Sequence, residues 1–131
     1  MAGVVVFDAN VLIALCLTTD AHHTWALDVF RFTQGSNLMV SAMTYSEFLI
    51  RPKREGVLQQ MLNGIEQLGL EITPIDVHNA LALTDVRART NLRMPDAVVL
   101  QTAIEHSGSV ATTDKRLASA ARELNIPVYQ P

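Results

Sequence analysis

"VVVFDANVLI", residues 4–13, decides how the rest of the chain is read. Four strand-forming apolar residues run into Asp8, and an apolar stretch of a different kind begins after Asn10. Short continuous apolar runs suit strands buried on both faces, as in parallel sheets covered by helices. An acid at the end of such a strand has an ordinary use, capping a helix that begins near Asn10. Whether Asp8 does more depends on what the remaining sequence brings to the same place.

Further strand-like runs follow at 38–40, after the turn residues Gly35, Ser36 and Asn37, and at 71–74 and 109–112. Residues 127–129 read as an edge strand, because Pro127 cannot donate to a ladder. Between the runs lie helical patterns. Val57, Leu58, Met61, Leu62, Ile65 and Leu68 recur at helical spacing, which predicts a helix over 57–68. Similar stripes predict helices over 21–33, 77–89 and 114–124. Pro95 opens another over 95–106, which Gly108 terminates. Strands alternating with helices predict one α/β domain over 1–131, with a mostly parallel sheet of four to five strands and helices on both sides. Ligands of such sheets bind outside the carboxyl ends of the strands. Asp8 follows the first strand, and Asp114 follows the fourth through Thr112 and Thr113.

Bulk composition narrows the function. Of 131 residues, 49% are hydrophobic and 18% charged, so the chain folds. A formal charge of −3 argues against coating nucleic acid by bulk charge, though not against a nucleic-acid enzyme with local basic residues. Cys16 is the single cysteine, so no intramolecular disulfide forms and a reducing compartment is the simpler reading. Residues 11–17 are the longest apolar stretch, far short of a bilayer span, and no secretory signal is recognisable. A cytoplasmic chain without membrane attachment is expected.

Four acids stand out, each with a structural use of its own. Asp8 and Asp114 sit where helix caps are expected, and Asp96 lies in a first helical turn. Glu47 is three residues after Thr44, the spacing of a capping box. As a set they are harder to dismiss, since two end strands and two start helices beside the same sheet edge. Two unit charges 4 Å apart repel by about 4 kcal/mol at an effective dielectric near 20. Convergence therefore demands protons or a cation. All-oxygen donors select Mg²⁺ or Mn²⁺ over zinc. Such a site activates water for in-line attack on a phosphodiester. Asn10 and Thr112 would orient the carboxylates.

"VVVFDANVLI", "SAMTYSEFL" and "MPDAVVLQTAIEHSGSVATTDKRL" together resemble the PIN domain family, and within it the VapC toxins of toxin–antitoxin pairs. The elements are a strand then D-x-N, an S-x-x-x-x-x-E helix start, and a D-A helix start 18 residues before a T-x-D. The resemblance implies a three-layer α/β/α fold and an acidic site of Asp8, Glu47, Asp96 and Asp114. It implies an endoribonuclease dependent on Mg²⁺ or Mn²⁺, a homodimer, held inactive by an antitoxin protein. After the T-x-D this chain continues "DKRL" where the family often has an aromatic, which places Lys115 and Arg116 beside the site.

Arg93, Lys115 and Arg116 are the expected RNA phosphate contacts, being nearest the acids in sequence. Arg51, Lys53 and Arg54 read as solvated or partner-facing charges. His22 and His23 are metal-ligand types, but the simpler reading is a helix start capped by Asp20. Asp76 follows a strand end and is a weaker candidate for the site; Asp85 reads as a solvent-face charge. Trp25, Phe30, Phe32 and Phe48 are expected to expose apolar surface to a partner.

Two other functions compete. A phosphatase of the haloacid-dehalogenase type would use Asp8 as nucleophile, but needs an acid where Asn10 stands. A non-catalytic PIN-fold module would grip RNA or protein, yet clustered negative charge gains nothing for gripping RNA.

Overall fold

The computed structural model describes residues 3–131. Five strands, β1 (Val4–Phe7), β2 (Asn37–Ser41), β3 (Glu71–Thr73), β4 (Ser109–Ala111) and β5 (Val128–Tyr129), form one sheet in the order β3-β2-β1-β4-β5. Every neighbouring pair is parallel, so the sheet is wholly rather than mostly parallel. The α-helices are α1 (Ala9–Cys16), α2 (His23–Phe32), α3 (Ala42–Arg54), α4 (Leu58–Glu66), α5 (Ala80–Thr90), α6 (Met94–Glu105) and α7 (Lys115–Glu123). Among the described residues no helix is long and apolar enough to cross a membrane.

The sheet divides the core by the alternation of its side chains. Val5, Phe7, Leu38, Val40 and Ala111 face one layer, with Val11 and Leu12 of α1, Val29 of α2, Phe48 of α3 and Ile65 of α4. Val6, Met39 and Val110 face the other, with Val86 of α5, Leu100 of α6 and Leu117 of α7. This is the expected α/β/α sandwich, and it explains why the central runs are apolar throughout.

The departures are local. The predicted helix over 77–89 starts as a tight 3₁₀ turn, Val77–Asn79, because Asp76 accepts from the His78 N–H while the Asn79 side chain accepts from the Asp76 N–H. The edge strand begins at Val128; the Pro127 carbonyl already accepts the Val110 N–H at 2.9 Å. Gly108 plays a different part from the one expected. The left-handed residue after α6 is Ser107, with φ 52°. Gly108 is required because a Cβ there would lie 2.9 Å from the Val4 carbonyl oxygen of the neighbouring strand. Gly108→Ala is therefore expected to cost about 1–3 kcal/mol, as overpacking does. Ser107→Gly, relieving a left-handed serine, is expected to raise stability by about 1 kcal/mol. Urea midpoints of the two variants should move in opposite directions.

Candidate active site

The chain lays β2 and β3 on one side of β1 and then crosses to place β4 on the other. Where strand order reverses, the loops leaving two adjacent strands part and open a crevice at their carboxyl ends. Asp8 follows β1 and Thr112 to Asp114 follow β4 at that reversal.

Asp8 is 7% exposed, and its N–H donates to the Ala111 carbonyl at 3.0 Å. Oδ1 accepts the Ala9 N–H at 2.8 Å, so the expected cap on α1 exists. Oδ2 accepts from the Thr112 hydroxyl at 2.8 Å. The same hydroxyl oxygen accepts the Asp114 N–H at 2.9 Å, so one threonine ties the two strand ends together. Burial pushes the Asp8 carboxyl up to about 6; the Thr112 and Ala9 hydrogen bonds oppose that rise, and the charges of Asp96 and Asp114 add to it.

Asp114 caps α7, and its Oδ1 takes both the Arg116 N–H at 2.8 Å and the Leu117 N–H at 3.0 Å. Its second oxygen is free of the cap. Asp96 is half-buried as the third residue of α6. Burial raises its carboxyl first, Asp114 raises it further, and Arg93 and Arg116 oppose the rise. Glu47 is raised by burial and then by Asp96, against Arg93. Asp96 is thus the hub: its charge raises Asp8 and Glu47, and it is itself raised by Asp114. The capping-box reading of Glu47 is overturned. Ser41 caps α3, accepting the Thr44 N–H at 3.1 Å, so Glu47 lies in the second turn, too far along to reach back.

Among the described residues the ion pairs lie elsewhere, Arg51 with Glu55, Arg89 with Asp85, and His106 with Glu105. Arg93 acts on Asp96 and Glu47, and Arg116 on Asp96, only at longer range, and none of the four acids is in a salt bridge among the described residues. Neither are they a finished cage: among the described residues no three His, Cys, Asp or Glu side chains are gathered to hold one ion. The donor set fits Mg²⁺ or Mn²⁺, since Mg²⁺ keeps several waters and takes one or two carboxylates. It does not fit a closed structural zinc site, which needs four N or S donors.

The other candidates divide. Thr112 is buried on Asp8, whereas Asn10 is exposed and makes no hydrogen bond to the acids among the described residues. Arg93 and Lys115 are exposed beside the helix starts. Arg116 donates from Nη2 to the Asn91 carbonyl at 3.1 Å. His23 spends Nδ1 on the Ala14 carbonyl at 2.7 Å, and His22 packs edge-on to Trp25. Asp20 accepts the His22 N–H just before α2, near the expected cap. Asp76 stays at its turn, and Asp85 pairs with Arg89 on the solvent face. Phe48 corrects an expectation: it is 2% exposed and belongs to the core, while Phe32 is 78% exposed. The sequence does not reveal the segment before α6, where Leu92 is buried and its carbonyl accepts from Arg87 Nε at 3.1 Å. A lone leucine in a polar turn was the only signal for it.

The PIN domain family model matches residues 5–123. The chain belongs to the PIN domain family. No curated protein matches it. Solved structures share the PIN fold over nearly the whole chain. A toxin–antitoxin complex from Klebsiella pneumoniae is 24% identical, covering 87% of this chain and 90% of its own, with a TM-score of 0.72. FitAcB from Neisseria gonorrhoeae is 25% identical over 95% of this chain and 96% of its own, at 0.67. Mycobacterium tuberculosis VapC20, described as a sarcin–ricin loop cleaving toxin, is 13% identical, covering 88% and 94%, at 0.74. In this PIN domain the acids occupy the carboxyl edge of the sheet at the strand-order reversal.

Proposed function

We propose that the chain is an endoribonuclease dependent on Mg²⁺ or Mn²⁺, acting as the toxin of a toxin–antitoxin pair. The observation that carries it is the Asp8 carboxyl, raised first by burial and then by Asp96 and Asp114, where β1 and β4 end side by side, with no cation in a salt bridge to any of the three among the described residues. The PIN family membership, the Klebsiella pneumoniae toxin–antitoxin complex and the Mycobacterium tuberculosis toxin support the same reading.

Asp8, Asp96 and Asp114 would hold the ion, and Glu47 would bind it or position the attacking water. A divalent ion in this place supplies charge neutralisation at the phosphate and a more acidic water. Thr112 orients Asp8, and Asn10 stands beside the site as a further orienting group. Arg93 and Lys115 offer charge to RNA phosphates, with Arg116 nearby. Water oxygen bonds to phosphorus, the bond from phosphorus to the 3′-oxygen breaks, and that oxygen takes a proton. The products carry 5′-phosphate and 3′-hydroxyl ends, not the cyclic phosphate that 2′-hydroxyl attack leaves. The partners are an antitoxin protein and a second copy of the chain, in the cytoplasm.

A non-catalytic PIN-fold module is favoured by one observation, the lack of a ready three-residue ligand group among the described residues. The phosphatase alternative finds no support, since Asn10 supplies no acid. Cleavage of a cellular RNA pool by the purified chain in Mg²⁺, Mn²⁺ or EDTA decides between nuclease and module. Discrete fragments with 5′-phosphates, lost in EDTA, are expected; RNA bound but uncut would give the module reading its place.

Thr112→Val tests the orienting link. It strips Asp8 of the hydrogen bond that most opposes its raised carboxyl, and it unseats the Asp114 N–H. Cleavage is expected to fall about 10–100-fold, as when groups supporting metal ligands are removed. Initial rates across pH should show the alkaline shift that a further raised Asp8 imposes.

A further inference from the structure

The starts of α6 and α7 carry Asp96 and Asp114, two acids on separate elements whose spacing no shared backbone sets. Arg116 bridges them. Its own N–H is fastened to Asp114 Oδ1 at 2.8 Å, and its guanidinium Nη2 donates to the Asn91 carbonyl at 3.1 Å, just ahead of α6. The other hydrogen bonds of residues 91 and 92 run to α5, and the Leu92 side chain packs in the core beside Leu117. Asn91 ends that helix in the left-handed conformation at φ 57°, its N–H on the Arg87 carbonyl. Arg87 Nε donates to the Leu92 carbonyl at 3.1 Å, and the Leu92 N–H donates to the Thr90 hydroxyl at 3.2 Å. Among the described residues, the Arg116 bond is the one hydrogen bond that joins this segment to α7.

We infer that Arg116 is a positioning residue, a clamp that sets the gap between Asp96 and Asp114, rather than a free phosphate contact. The inference rests on the nuclease reading above. Two carboxylates at neighbouring helix starts repel; Leu92 shares a core cluster with Leu117 of α7, and Arg116 adds to that non-directional packing the directional link that fixes the gap. Arginine suits the task because its planar fork stays charged and directs its donors, whereas lysine offers a point charge on a flexible stem. A phosphate that claimed Nη2 would have to displace the Asn91 carbonyl.

Three readouts on Arg116→Gln and Arg116→Lys test the clamp: amide hydrogen exchange over residues 92–94, Mn²⁺ affinity by calorimetry, and kcat and KM on RNA. The clamp predicts faster exchange in both variants and Mn²⁺ affinity weakened about 10-fold or more. It also predicts a lower kcat with KM nearly unchanged, and no rescue by lysine. Unchanged exchange and Mn²⁺ affinity, with KM raised by glutamine and restored by lysine, would overturn it in favour of a simple phosphate contact. A wild-type chain that binds no Mn²⁺ sinks the nuclease reading instead, and the clamp then stands or falls on the exchange comparison alone.

Discussion

Asp96→Asn is expected to lower RNA cleavage by about 10²–10³-fold while leaving the fold intact. A divalent ion contributes several kcal/mol of charge stabilisation in a transition state, and each 1.36 kcal/mol is a decade of rate. Asp96 is the acid that touches the fields of all the others, so its charge is the one the cluster is built around. Structure should survive because its carboxylate accepts no hydrogen bond among the described residues, and asparagine has the same shape. Neutralising it also removes repulsion from Asp8 and Glu47. The check is paired: cleavage rate against thermal midpoint. An inactive variant with a lowered midpoint would mean that the loss is one of folding.

The second large effect concerns Asp8 and pH. Its folded carboxyl titrates at about 6 against an ordinary value of 3.8, so the folded chain holds its proton after the unfolded chain has released it. The stability tied to that proton is full below about 4 and is lost as pH rises through 6. The difference corresponds to about 3 kcal/mol. In EDTA, the wild-type chain should thus be less stable at pH 7.5 than at pH 5, and Asp8→Asn should flatten that slope. Added Mn²⁺ should recover stability at pH 7.5 in the wild type far more than in the variant. Urea unfolding at the two pH values, with and without Mn²⁺, measures all of this. Equal slopes for wild type and variant would remove Asp8 as the source.

Much of this molecule was legible in its sequence, and the limits have physical causes. The central strands were readable because burial on both faces leaves no polar positions, as in Val4–Phe7. The positions of Asp8 and Asp114 followed, since a parallel sheet sends its loops out at one edge. Glu47 was read with the wrong cap because Ser41 and Thr44 are both good caps, and only the end of β2 decides between them. Gly108 was misread for a similar reason. A glycine after a helix signals a left-handed stop, while its use against Val4 depends on a strand a hundred residues away in sequence. Phe48 looked like partner surface because the phase of α3 cannot be fixed without its start. The roles of Arg87, Leu92 and Arg116 around the segment before α6 rest on backbone carbonyls, which carry no signature in side-chain type.

Asp8 and Asp114 each use one oxygen to seal the first turn of a helix and keep the other turned elsewhere. For anyone dissecting this protein, the choice of replacement then matters as much as the choice of position. Alanine removes the charge and unseals the helix, at about 1 kcal/mol per cap. Asparagine caps almost as well as aspartate; at Asp114 it removes only the charge, whereas at Asp8 its amide also takes the place of the oxygen that accepts from Thr112. An alanine scan of these two positions would mix a folding defect with a chemical one; asparagine separates them at Asp114, and at Asp8 it needs Thr112→Val beside it as the control for the lost hydrogen bond.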